Sequence, residues 1–330
     1  MLKRERLEQT LSGGNPDRVP VSLWRHWPGD DQRAADFARY TVGFQWAYDW
    51  DFIKLTPFSA YMTADYGLHT QWGSHVGADL FGDRTIVKRR IDRSLDWTEI
   101  RTLDPSRGEL AKHLDAIRLL SDALANDPDP APVMTTLYSP LTQAIQLAGV
   151  QNVLRDMRSA PDRLQSGLNV ITESTLRFIA ELRRLDVAGV YYVMDSARYD
   201  ICSLDEYQAF AQPYDQKLWD SFPDKWWLNI LSLSETLPML DMAMKLHPPI
   251  LHYDLNVDDL SRVRGQFDRV LCGGLTREQL HADSPTIGRE AARSILDEMN
   301  RRRLILSASS AVYISTPRAN LRVIREIVGE

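Results

Sequence analysis

The chain has 330 residues, 44% hydrophobic and 25% charged, with a formal net charge of −6 and a pI near 5.7. Its densest basic run is Arg301-Arg302-Arg303, which excludes a protein built to neutralise a phosphate backbone. With two cysteines (Cys202 and Cys272), no signal-like opening and no apolar run of about 18 residues, a soluble protein of the reducing cytoplasm is expected.

Residues 19–24 and 51–55 are short, almost continuous apolar runs, the pattern of parallel strands buried on both faces. Before the third run, at 133–138, lies the long connection 56–132. It is punctuated by Gly67, Gly73, Gly77 and Gly82, holds a short strand at 85–88 and a helix at 108–125, and ends in a Pro-rich approach. Such a connection predicts a structured insertion over a functional site. A helix is predicted over 161–184 from Leu164, Leu168, Ile171, Leu176, Ile179 and Leu182, followed by a strand at 189–194. Ser203 and Glu206 form the capping box of a helix over 204–222. Strands follow at 226–231, 250–254, 269–273 and 303–307, with helices at 234–246 and 285–301. Strand and helix alternate, so the class is α/β. Eight strands favour one single-domain (β/α)8 TIM barrel over an open doubly wound sheet, with the insertion between strands 2 and 3.

Barrel sites lie at the C-terminal ends of the strands. That rule selects Arg25, Lys54, Tyr138, Asp195, Ser196, Asn229, His252, Asp254, Ser309 and Ser310. Arg25 offers a planar fork for a carboxylate, and Arg198 adds a second guanidinium near Ser196. His252 and Asp254 alternate on one strand, so they share a side as a general acid/base and its carboxylate partner. Each has a plainer reading: Arg25 pairing with Asp30 or Asp31, Tyr138 and His252 as packed wall residues, Asp195-Ser196 as a turn. Trp24, Trp27 and Trp72 are candidates to roof a large planar ligand.

Several motifs carry a resemblance. They are Arg4-Glu-Arg-Leu7 with Pro16-Asp-Arg-Val-Pro20, Ala188-Gly189 with Asp195-Ser196, Leu204-Asp-Glu-Tyr with Pro213-Tyr214, Cys272-Gly-Gly-Leu275, and Thr316-Pro-Arg-Ala-Asn320. In this order and spacing the chain resembles the uroporphyrinogen decarboxylase family. The resemblance implies a TIM barrel and one of two chemistries: cofactor-independent decarboxylation of a porphyrinogen, or methyl transfer with zinc and a corrinoid protein partner. It aligns Arg25 with the first arginine of a substrate-binding loop and Ser196 with a substrate-binding serine. Three decarboxylase positions differ, with Ala60, Gln146 and Ser310 where the family has Asp, Tyr and His. The zinc-ligand positions read Asn229, Leu231 and Ser310, and a Cys272–His252–Asp254 site is the remaining arrangement for a metal.

The expected function is therefore decarboxylation of a small-molecule anion, a porphyrinogen being one candidate, without cofactor or metal. His252 and Asp254 would be catalytic. Arg25, Lys54, Tyr138, Asp195, Ser196, Arg198, Asn229 and Ser310 would bind substrate. The alternatives are a corrinoid-linked methyltransferase lacking the usual zinc ligands, and a barrel that binds tetrapyrrole or another anion without turnover. A homodimer is the partner the family implies; nucleic acid and membrane are not expected partners.

Overall fold

The computed structural model describes residues 1–72, 78–253 and 260–330. The strands are β1 (Ile53–Leu55), β2 (His69–Trp72), β3 (Arg84–Lys88), β4 (Val133–Tyr138), β5 (Gly189–Met194), β6 (Ile230–Leu233), β7 (Ile250–His252), β8 (Val270–Leu275) and β9 (Leu304–Ala308). Seven of them form one parallel sheet in the order β1-β4-β5-β6-β7-β8-β9. β2 and β3 make a separate antiparallel hairpin.

Side chains separate into two packing layers because successive strand residues face opposite ways. Phe52, Met134, Tyr191, Ile230, Ile250, Val270, Cys272 and Ile305 fill the inside of the curled sheet. Leu55, Leu137, Tyr192, Leu231, Leu251, Leu271 and Leu306 pack outward in the second cluster, shared with the surrounding helices. Gly189 opens β5 where a Cβ would stand 2.1 Å from Leu228 O, so only glycine fits there.

The expected strand at 19–24 is reduced to one parallel bridge, Val21 to Leu306. Pro20 has no N–H to give to a ladder, so pairing cannot extend toward the N-terminus. The segment still bonds both edges of the sheet. Leu306 N donates to Pro20 O (2.9 Å), Ser22 N to Leu306 O (3.2 Å), and Asp51 N to Val21 O (2.9 Å).

The expected helix at 204–222 is two helices, Leu204–Phe210 and Gln212–Trp219. Pro213 removes a donor there, and Ala211 leaves helical geometry (φ −123°, ψ −54°). The expected helix at 234–246 shrinks to Leu240–Met244, because Pro238 disfavours helix at the residue before it and Leu237 adopts φ 40°. The expected strand at 226–231 instead runs Ile230–Leu233, after a turn in which Trp226 N bonds Pro223 O. The long connection carries the β2–β3 hairpin and the helix Gly108–Leu124, which packs on the helix Ala34–Tyr48. Residue 254, the expected end of β7, lies outside the described residues.

At the N-terminal face of the sheet, Asp51 is fully buried and saturated. It accepts from Arg6 Nη1 (2.6 Å), Arg18 Nη1 (2.6 Å) and Val21 N (2.7 Å). Arg6 also grips Asp17 through Nε (2.7 Å). The charged opening motifs thus tie the N-terminal helix Lys3–Leu11 and the Val21 segment to the start of β1.

Candidate active site at the strand ends

A cavity of about 390 Å³ opens at the C-terminal ends of the strands. Its size suits a small-molecule ligand. Lys54 stands on β1, Thr136 and Tyr138 on β4, Tyr191 and Val193 on β5, and Ser232 on β6; Asp195, Glu235 and Ser310 come from the loops beyond, and Arg277 from the start of the short helix Arg277–His281.

Lys54 is the central group. It is 8% exposed, and its ammonium sits between two rings, 5.0 Å from the Trp24 centroid and 4.4 Å from that of Tyr191. Its one hydrogen-bond partner among the described residues is Thr56 Oγ1 at 3.3 Å, and no carboxylate pairs with it. Burial pushes its pKa down to about 7, so both protonation states are accessible near neutrality.

Sequence alternation places Trp24 and His26 together on the cavity side and Arg25 on the other. His26 Nδ1 is buried with no partner among the described residues. Burial holds its imidazole below the ordinary range, Lys54 adds to this, and Asp83 opposes it. Arg277 lies over the rings of Phe81 (4.9 Å) and Tyr313 (5.7 Å), with Glu235 at 3.5 Å. His26, Ser59, Arg277 and Ser310 also border an adjoining pocket of about 330 Å³, closed by Asp83, which accepts from both the amide and the hydroxyl of Ser59.

Of the expected site residues, the structure brings Lys54, Tyr138, Asp195 and Ser310 to the cavity wall, with Ser309 beside them. Burial raises the Tyr138 phenol pKa, keeping it a neutral donor. His252 lies one layer beneath, 1% exposed, against the rings of Trp24 (5.6 Å) and Tyr191 (5.3 Å). Its Nε2 faces Ala308 O at 2.9 Å and its Nδ1 faces Ser232 Oγ at 3.3 Å. A carbonyl only accepts, so Nε2 carries the proton. Ser232 Oγ in turn bonds Tyr191 OH (2.8 Å), linking the histidine to the cavity wall. Asp254, its expected partner, lies outside the described residues.

The remaining expected residues stand elsewhere. Ser196 is buried in a hydroxyl cluster, 3.1 Å from Thr142 Oγ1. Arg198 pairs with Asp200 (Nε to Oδ1, 2.9 Å). Asn229 precedes β6 at the opposite end of the sheet, where its Oδ1 accepts from Val190 N (3.0 Å) and its Nδ2 donates to Trp226 O (2.8 Å). Arg25 Nη1 donates to Ile314 O (3.0 Å). Trp27 stacks on Tyr40 and Trp72 is exposed, so Trp24 alone of the three tryptophans reaches the cavity.

His26, Asp83, Glu235 and Arg277 were missed from sequence. Period-two alternation from Trp24 was available for His26. Arg277 follows the Thr276 cap of a short helix, and that cap marked where the chain leaves β8.

Zinc needs several sulfur, imidazole or carboxylate donors around one point. Among the described residues no three such side chains converge. Cys272 is in mid-strand within the inner core, and burial raises its thiol pKa. The described donor set does not fit the metal.

No curated protein matches the chain in sequence. In structure it is similar to a methyltransferase from Methanosarcina mazei, with a TM-score of 0.84 and 16% identity over 99% of this chain and 98% of that one. It is also similar to a B12-independent methionine synthase from Shewanella sp. W3-18-1, with a TM-score of 0.56 and 10% identity over 94% and 93%. At these identities the likeness shows the fold. The family model for uroporphyrinogen decarboxylase matches residues 81–330, most of the chain and six of the seven sheet strands. The chain therefore belongs to the uroporphyrinogen decarboxylase family.

Proposed function

We propose that the protein is a cofactor-independent carboxy-lyase acting on an anionic substrate, with polycarboxylate tetrapyrroles as the first class to test. The observation that carries this reading is Lys54, a buried amine with no carboxylate partner among the described residues, in an aromatic box at the cavity wall. We also read the Val21 segment as the eighth stave of a closed (β/α)8 barrel, and the described part of 56–132 as an insertion that borders the cavity through Ser59 and the adjoining pocket through Asp83.

A carboxylate entering the cavity meets Arg277 at the rim and Lys54 below. The incoming charge raises the lysine pKa, so binding takes up a proton above neutral pH. The substrate C–C bond then breaks heterolytically and CO2 leaves. The electron pair left on carbon takes a proton from the Lys54 ammonium, and His26 passes the replacement proton from solvent. Tyr138 and Ser310 donate hydrogen bonds that orient the substrate.

The test is anaerobic incubation with uroporphyrinogen and other polycarboxylates in deuterated water, followed by mass analysis. Loss of carboxyl groups with one deuterium entering at each vacated carbon is expected, and Lys54→Met should abolish it. Full-speed turnover by Lys54→Met would overturn the reading. Tight binding with every carboxylate returned intact would favour a non-catalytic anion-binding barrel. Corrinoid-linked methyl transfer has support in the full-length likeness to the Methanosarcina mazei methyltransferase. The absence of converging metal donors among the described residues weighs against its zinc-dependent form.

A further inference from the structure

A separate pocket, of about 420 Å³, lies outside the strand-end cavity, between the helix Ala34–Tyr48 and the helix Arg318–Ile327. Three guanidiniums border it: Arg25, Arg318 and Arg322. Among the described residues none of the three forms an ion pair; Arg25 is spent on the carbonyls of His26 and Ile314, and Asp30 attracts it only from a distance. The three converge electrostatically on one group, for all of them favour the ionised form of the Tyr48 phenol, though burial outweighs them.

This clustering is unfavourable in the chain alone. Arg318 and Arg322 are four apart on one helix, where like charges repel. Arg318 is also the first residue of that helix, at the positive end of its dipole. The opposite wall is aromatic. Trp27 and Tyr40 stack at 6.0 Å with planes 22° apart, and the Arg25 guanidinium lies 4.8 Å over Trp27. Thr316, 9% exposed, lines the same pocket, and its buried hydroxyl has no partner among the described residues.

We propose that this pocket is a second ligand site, separate from the strand-end cavity, which takes a phosphate monoester carried on an aromatic ring. The dianion offsets the repulsion among Arg25, Arg318 and Arg322 and accepts from the Thr316 hydroxyl. The ring lies on the Trp27–Tyr40 shelf. Arginine suits the phosphate because its planar fork matches two oxygens at once.

Calorimetric titration of the full chain with phenyl phosphate tests this, with cyclohexyl phosphate and inorganic phosphate as the other arms. One site per chain is expected, with phenyl phosphate the tightest. The double variant Arg318→Ala/Arg322→Ala alters only exposed side chains and should weaken binding at least about tenfold, the weight of a charge-assisted hydrogen bond. Thr316→Val should weaken it less, and Lys54→Met should leave it unchanged. No binding at millimolar phenyl phosphate overturns the proposal. So does binding that survives the double variant, or that disappears in Lys54→Met, which would put the ligand in the strand-end cavity. Equal affinity for the cyclohexyl and phenyl esters overturns the aromatic shelf.

Discussion

Asp51 and Lys54 are buried charges three residues apart on one stretch of chain, and the fold treats them in opposite ways. Asp51, below the sheet, is saturated by Arg6, Arg18 and the Val21 amide. Lys54, at the cavity wall, has one long bond to a hydroxyl and two ring faces. Removing a charge from water is costly, and a folded chain normally compensates by pairing it. The lower end of the sheet follows that rule and the upper end departs from it. Departures of this kind concentrate at functional sites, where a shifted pKa is useful.

Substitution sharpens the contrast most. Asp51→Ala leaves Arg6 and Arg18 buried without their carboxylate and should lower unfolding free energy by about 3–5 kcal/mol, measured by urea denaturation. Lys54→Met replaces a costly charge by an apolar chain of similar length, so no such loss is expected. Equal destabilisation by both would erase the difference drawn between the two ends.

The next largest effect is in pH. The folded pKa of Lys54 is depressed to about 7 from 10.5, so the fold is penalised when the amine must be charged. Its contribution is fully present above pH 10.5 and is lost as pH falls through about 7. Relative to Lys54→Met, the wild type should therefore gain stability as pH rises across that window. Parallel denaturation curves of the two proteins from neutral to alkaline pH would show the lysine to be solvated instead.

Arg277→Ala should weaken binding of a polycarboxylate porphyrin by about tenfold or more while the thermal midpoint stays nearly constant. A falling midpoint with unchanged affinity would make Arg277 a packing residue for Phe81 and Tyr313. The smallest effect is expected from Arg198→Ala. Its partly exposed pair with Asp200 should contribute under about 1 kcal/mol, and porphyrin affinity should not move. A large loss of affinity would return Arg198 to the binding surface.

The strands were legible in the sequence wherever apolar residues ran unbroken, as at Val133–Tyr138 and Gly189–Met194, because burial on both faces leaves a continuous signal. Prolines were under-weighted: Pro20, Pro213 and Pro238 each cut an element that the apolar pattern alone extends. In the site, Lys54, Tyr138, Asp195 and Ser310 could be found from strand ends alone. Arg25 and His26 could not be ranked that way. Which of two neighbours faces the cavity depends on the phase of the alternation, and Trp24 sets that phase. Ser232, Ser234 and Glu235 were hidden by a strand placed too early, which put Asn229 at the wrong end of β6. Asp83 borders the adjoining pocket from a loop and Arg277 reaches the cavity from the first turn of a short helix, and no local pattern encodes where such a connection returns.

The Val21 segment also constrains how the chain is made. The hydroxyl of Ser307 donates to Ser22 O across 285 positions, so the Val21 segment waits for β9, the last strand of the sheet. At ribosomal speeds of roughly 5–20 residues per second, that wait is some tens of seconds. Throughout it the side of the Val21 segment that faces β9 stands bare, a template for pairing with any other nascent chain. Arg6, Asp17, Arg18 and Asp51 cluster beside that edge. In an unfinished chain such charges serve as gatekeepers, which keep a sticky border wet until its own partner emerges.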